Sequence, residues 1–123
     1  MTDPLDLALA AWYRPTTAAR EVRADDARAL LATGLFSKLQ VAGITRLPRV
    51  YVLGLAEKEA RTGGALNPNT LPMLRDLRDA FDRGERPERL AALIYEQGTR
   101  QHMIHALTGI PMTTLFRWTR SER

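Results

Sequence analysis

Apolar residues recur along this 123-residue chain three and four positions apart, and no segment alternates strictly between apolar and polar. The first spacing lines one face of a helix, whereas strict alternation would mark a half-buried strand. Residues 4–13, PLDLALAAWY, place Leu5, Leu9 and Trp12 on one face behind Pro4, and proline suits a first helical turn. TTAAREVRADDARALLATG (16–34) predicts a second helix capped by Thr16 or Thr17 and stopped by Gly34. Ala24-Asp25-Asp26 is where it would divide if it is two. LFSKLQVAG (35–43) predicts a short helix ending at Gly43. RLPRVYVLGLAEKEARTGG (46–64) predicts another, with Pro48 in its first turn and Gly63-Gly64 as its stop. Val50, Tyr51 and Val52 alone would suit a strand, but the charge spacing out to Arg61 favours helix.

GGALNPNT (63–70) is the one convincing loop, and it separates an N-terminal helical subdomain (1–64) from a C-terminal part (65–123). Asn69 or Thr70 then caps a helix over 70–84, whose apolar face is Leu71, Leu74, Leu77 and Phe81. Three more helices follow, over 86–98, 99–109 and 111–120. The expected fold is all-α, with about seven short helices.

Composition narrows the class. Hydrophobic residues at 45% and charged residues at 26% belong to a globular domain rather than a disordered tail. No apolar run approaches the roughly 18–20 residues of a membrane span, and the start, MTDPLDLALAAWYRP, lacks the basic leader of a secretory signal. With no cysteine, disulfides, thiolate chemistry and Cys-based zinc sites are excluded, which fits a cytoplasmic protein. Net charge is +4, and its excess lies in residues 14–49 (+4) and 85–123 (+2), flanking a neutral 50–84. Arginine supplies 16 of the 18 cations, the residue suited to bidentate contacts with phosphate and guanine. A GC-rich coding sequence would also raise arginine.

The last three helices carry the functional signal. Gly109 opens a tight turn, Ile104 and Leu107 face inward before it, Ile110 plugs it, and Leu115 and Trp118 face inward after it. Leu90, Leu93 and Ile94 supply a third wall, and Arg117 and Arg120 fall on the outward side with Met112 and Thr113. GIPMTTLFRW resembles the recognition-helix region of resolvase- and invertase-type helix-turn-helix domains, over Pro87 to Arg120. The resemblance implies a trihelical module, with its helix-turn-helix at 99–121, whose last helix enters the major groove of duplex DNA. It implies base-edge contacts from Met112, Thr113 and Arg117, and backbone or groove-wall contacts from Thr114, Phe116 and Arg120. Where that family has a small residue at the helix crossing, this chain has His105, which is expected to sit at the crossing.

Residues 27–56 offer a weaker echo, with Gly43-Ile44 set against Gly109-Ile110 and Val50-Tyr51 against Leu115-Phe116. The spacing differs by one residue and Pro48 intrudes, so the block is either a second module or a dimerisation and packing surface. Lys38, Arg46 and Arg49 surround its turn and, with Arg100, complete the expected DNA-contacting residues. His102 and His105 lack metal-binding company, and no Gly-rich phosphate loop, Ser/His/Asp set or catalytic carboxylate pair is present. The expectation is a non-enzymatic, cofactor-free, sequence-specific DNA-binding protein of the nucleoid, working as a homodimer or a tandem pair of modules. Transcriptional regulation, or a partition, excision or replication accessory role, would suit it. The rival is a helical adaptor whose basic face meets an acidic protein.

Overall fold

The computed structural model describes residues 3–55 and 64–120, and among these it holds eight α-helices, one 3-10 turn and no strand. Two compact units divide the chain, Met1–Thr62 and Gly63–Arg123.

Unit 1 begins with α1 (Pro4–Trp12), whose first turn is closed by the Asp3 carboxylate accepting the Leu5 N–H at 2.8 Å. It buries Leu5, Ala8, Leu9 and Ala11. The second helix, α2 (Arg20–Ala32), starts later than expected, because Thr16 and Thr17 lie exposed in a turn and cap nothing. It runs unbroken through Asp25-Asp26. Both carboxylates point away from the buried Ala24, Ala27 and Leu30: Asp26 holds Arg14 through two bonds of 3.0 and 2.8 Å, and Asp25 holds Arg28 at 3.1 Å. That bidentate pairing also raises the Arg14 pKa above its ordinary value, first through the hydrogen bond and then through the charge of Asp26.

Helix α3 (Lys38–Thr45) is set by a capping box, Ser37 Oγ accepting the Gln40 N–H at 3.1 Å and Gln40 Oε1 the Ser37 N–H at 2.9 Å. The helix therefore begins beyond Leu35 and passes straight through Gly43, the expected stop. It ends at Arg46, which takes the left-handed conformation. A short α4 (Arg49–Leu53) follows, with Pro48 as its N-cap. The helix expected from residue 46 thus starts only at Arg49, with Pro48 before its first turn, and stops at Leu53, where Gly54 is the C-cap; residues 56–63 of the expected span lie outside the described residues.

In unit 2 the 3-10 turn Pro68–Thr70 precedes α5 (Leu71–Asp82), and the loop before it is tied across the chain. Asn67 N–H donates to Thr99 Oγ1 at 3.0 Å, its side-chain amide donates to the Gln97 carbonyl at 2.8 Å, and the buried Thr70 and Thr99 hydroxyls meet at 2.7 Å. Thr70 thus serves this junction instead of capping α5 with its side chain. Helices α6 (Glu88–Glu96), α7 (Gln101–Thr108) and α8 (Met112–Thr119) complete the unit, with α5 packed on α6 and α7.

Its core is Leu71, Leu74, Leu77, Ile94, Met103, Ile104, Leu107, Ile110 and Leu115, all but closed to solvent. Leu93 does not join it; at 43% exposed it lies one residue out of phase, and Ala91 with Ile94 forms the wall that α6 contributes. Trp118 meets Phe81 of α5 edge-on, ring centres 6.2 Å apart.

Candidate nucleic-acid interface

A three-residue turn places α8. Gly109 ends α7 at φ 80°, a left-handed conformation that glycine adopts without a Cβ penalty. Ile110 then points into the core, fully buried, and Pro111 is extended at φ −58°, ψ 144° to start α8. Thr108 braces the turn from behind: its hydroxyl donates to the Ile104 carbonyl at 2.6 Å and accepts the Ile110 N–H at 3.3 Å. His105 braces it from outside. Its exposed ring sends Nδ1–H to the Ile110 carbonyl at 2.8 Å, so it does not occupy a helix crossing as expected. The carbonyl can only accept, which assigns the proton to Nδ1.

Helix α8 packs on α6 and α7 through buried Leu115, Trp118 and Thr119. Thr119 Oγ1 donates to the Leu115 carbonyl at 2.7 Å and receives the Gln101 amide from α7 at 3.2 Å. Anchoring these positions turns Thr113, Phe116, Arg117 and Arg120 outward, all exposed and spaced i, i+3, i+4, i+7 along one stripe. Met112 and Thr114 are half-buried at its margins. Segment 112–120 contains no acidic residue, and neither Arg117 nor Arg120 has an ion-pair partner among the described residues.

The ion pairs of this unit lie elsewhere, on α5 and the stretch leading into α6, where Arg83 holds Glu85 at 2.8 Å and Arg86 faces Glu88 at 3.6 Å. The Arg83 hydrogen bond, then its charge, keeps the Glu85 carboxyl below its ordinary pKa. Arg123, at the end of the same basic segment, lies outside the described residues. Arg100 is the exposed N-cap of α7, its guanidinium 4.6 Å over the Tyr95 ring.

The N-terminal residues expected at the interface separate. Lys38 is only 8% exposed, buried at the first position of α3 that the capping box defines; it does not stand beside Arg46 and Arg49 at the surface. Arg46 and Arg49 are exposed. The guanidinium of Arg46 stacks 4.5 Å over Trp12, and Arg20, absent from the sequence expectation, stacks 5.3 Å over Tyr51 of α4. Arg23, also unforeseen, donates from one terminal nitrogen to the Arg46 carbonyl at 3.3 Å.

The turn of unit 1 is not where the match of Gly43-Ile44 to Gly109-Ile110 would put it. Ile44 is a buried residue inside α3, and the turn is Arg46-Leu47-Pro48. Its register matches unit 2 residue by residue: Arg46 is left-handed (φ 59°) like Gly109, Leu47 is 4% exposed as Ile110 is 0%, and Pro48 (φ −57°, ψ 137°) repeats Pro111. Thr45 bonds back to the Val41 carbonyl at 2.8 Å as Thr108 does to Ile104. Four residues beyond each proline stands a fully buried residue, Val52 or Leu115, so Val50 (81% exposed) is not the counterpart of Leu115. Pro48 does not intrude on the motif; it belongs to it. The signal lay in the chain as ITRLPRVYV over LTGIPMTTL, separated by the distance from Thr45 to Thr108.

Among the described residues no helix is long and apolar enough to cross a membrane, and no group of three or more His, Cys, Asp or Glu could hold a metal ion. No family model, curated protein or solved structure matches the chain.

Proposed function

We propose that this chain is a sequence-specific binder of double-stranded DNA, that Gln101–Thr119 is a helix-turn-helix, and that α8 is its reading helix. The observation that carries this reading is the stripe Thr113, Phe116, Arg117 and Arg120, outward-facing and without carboxylates, on a helix whose other side is fixed by Leu115 and Trp118. A helix with its side chains is about 10–12 Å across, which a major groove about 12 Å wide admits. Arg117, at the middle of the stripe, has the forked donors that pair with guanine O6 and N7. Thr113 offers a hydroxyl and a methyl to base edges, while Phe116 presents apolar surface to thymine methyls or the sugar wall. Arg120 at the end of the helix and Arg100 before α7 hold phosphates, which supply most of the affinity and none of the sequence choice.

A reading helix this short covers few base pairs, so site recognition requires a second reading element, from a second copy or from the same chain. Transcriptional regulation from the nucleoid, or a partition, excision or replication accessory role, would use the same contacts. The test is selection of bound sequences from a random duplex pool, followed by Arg117→Ala. The variant should lose about 1–3 kcal/mol on the selected site, and its preference should relax at the base pair Arg117 reads. A pool that yields no consensus, or a variant binding the consensus like the parent, would remove α8 as the reader. Tight binding to acidic proteins and none to duplex would mark an adaptor instead.

A further inference from the structure

Unit 1 carries a cluster of guanidinium groups that the reading of α8 leaves unused. Arg20 stacks on Tyr51, Arg46 stacks on Trp12, Arg49 opens α4 at the surface, and Arg23 buttresses the turn through the Arg46 carbonyl. Stacking holds a guanidinium plane in place while its N–H edge stays available to an acceptor. None of the four has an ion-pair partner among the described residues, whereas the neighbouring Asp25 and Asp26 are occupied by Arg28 and Arg14. A surface that needed only solubility would pair such charges or disperse them.

This cluster surrounds a frame that repeats unit 2. Ala27 and Leu30 of α2 are buried as Ala91 and Ile94 of α6 are, and left-handed Gly34 and Gly98 follow at the same interval. After one residue of slip comes the turn that both units share. The outward positions correspond too: Leu53, 44% exposed, stands where α8 has Phe116 at 48%.

We propose that residues 20–55 form a second DNA-contacting unit of the same build, in which Arg20, Arg46 and Arg49 grip the phosphate backbone of a duplex. Val50 and Leu53 then turn toward thymine methyl groups, the base feature an apolar side chain can recognise. The inference rests on the reading of α8, and it gives the chain a second DNA-contacting element beside it in sequence.

The test uses the full chain on the duplex selected by the parent, with affinity measured across salt concentrations. Arg20→Gln with Arg49→Gln should flatten the slope of log affinity against log salt by about 1.8, two phosphate contacts at about 0.9 each. Arg49→Gln alone should flatten it by about 0.9, which keeps the test valid should the double variant melt early. The Lys pair, Arg20→Lys with Arg49→Lys, should restore the parent slope. Backbone protection should vanish at one end of the site only. Unchanged slope and protection overturn the proposal, and a changed sedimentation mass at unchanged slope overturns it in favour of a protein-contacting surface. If Arg117→Ala loses the site while the Arg20 and Arg49 variants do not, the second unit fails and α8 stands as the reader. A parent with no salt-dependent duplex binding defeats both.

Discussion

The two turns, Gly109-Ile110-Pro111 and Arg46-Leu47-Pro48, solve one geometric problem with different chemistry. Each needs a left-handed residue, an apolar plug and an extended proline. Unit 2 meets the first need with glycine, at no steric cost, and leaves the tip of the turn bare. Unit 1 uses Arg46, whose left-handed backbone costs on the order of 1 kcal/mol. Stacking on Trp12 and the bond from Arg23 offset part of that cost. The helices that follow diverge the other way: α8 turns Thr113, Phe116 and Arg117 outward, while α4 has Val50, Leu53 and Gly54 at those positions. Charge therefore sits on α8 in unit 2 and around the turn in unit 1. The frame fixes the plug and the proline in both units and leaves the surface free to differ.

The largest expected effect breaks the symmetry of the cores. Trp118→Ala should destabilise unit 2 by roughly 3–5 kcal/mol, since the indole is nearly buried against Phe81. Leu55, half-buried at the corresponding place in unit 1, has less to lose. Hydrogen exchange of the α7 and α8 amides would show the loss locally, and unaltered protection there would mean that the indole does not hold α8. Next comes Gly109→Ala. An added Cβ would meet no atom within 4 Å, so only the backbone penalty of about 1 kcal/mol should appear in the melting temperature.

His105→Ala should likewise cost about 1 kcal/mol, by removing the bond to the Ile110 carbonyl. A gain in stability would instead favour residue 105 as a crossing position that prefers a small side chain. The smallest effect belongs to Arg46→Gly. Relief of the left-handed strain, removal of the stacking and greater chain entropy should nearly cancel, leaving a net change within about 0.5 kcal/mol. A loss above about 2 kcal/mol would show that Arg46 holds unit 1 together rather than serving its surface.

Helical periodicity and the non-helical stretch over 64–67 were legible because they depend on several residues at once. Boundaries were less so: Gly43 looked like a stop, but Ser37 and Gln40 shifted α3 and carried it through that glycine. On α8 the phase was readable from Leu115 and Trp118, which turn Thr113, Arg117 and Arg120 outward, whereas Met112, expected beside them, is half-buried. On α6 the apolar residues run without a break from Leu90 to Ile94, so Leu90-Leu93-Ile94 and Ala91-Ile94 are both possible faces, and the fold buries the second. The repeat is masked in the sequence because Arg46 occupies the left-handed place that glycine fills in unit 2. Arg20 could not be anticipated, since its contact with Tyr51 joins helices far apart in the chain. The place of His105 depends on one hydrogen bond, to the Ile110 carbonyl, which no sequence spacing encodes.

If the outward face of α8 meets the polyanionic backbone and bases of duplex DNA, binding must release counterions from the phosphates that its arginines neutralise. The decisive experiment is the salt dependence of binding by the full chain to a selected duplex, with and without Arg120→Ala. Affinity of the parent should fall steeply with salt. The variant should give a slope flatter by about 0.9, because it neutralises one phosphate fewer. Coincident slopes, or binding indifferent to salt, would contradict the assignment of α8 to DNA.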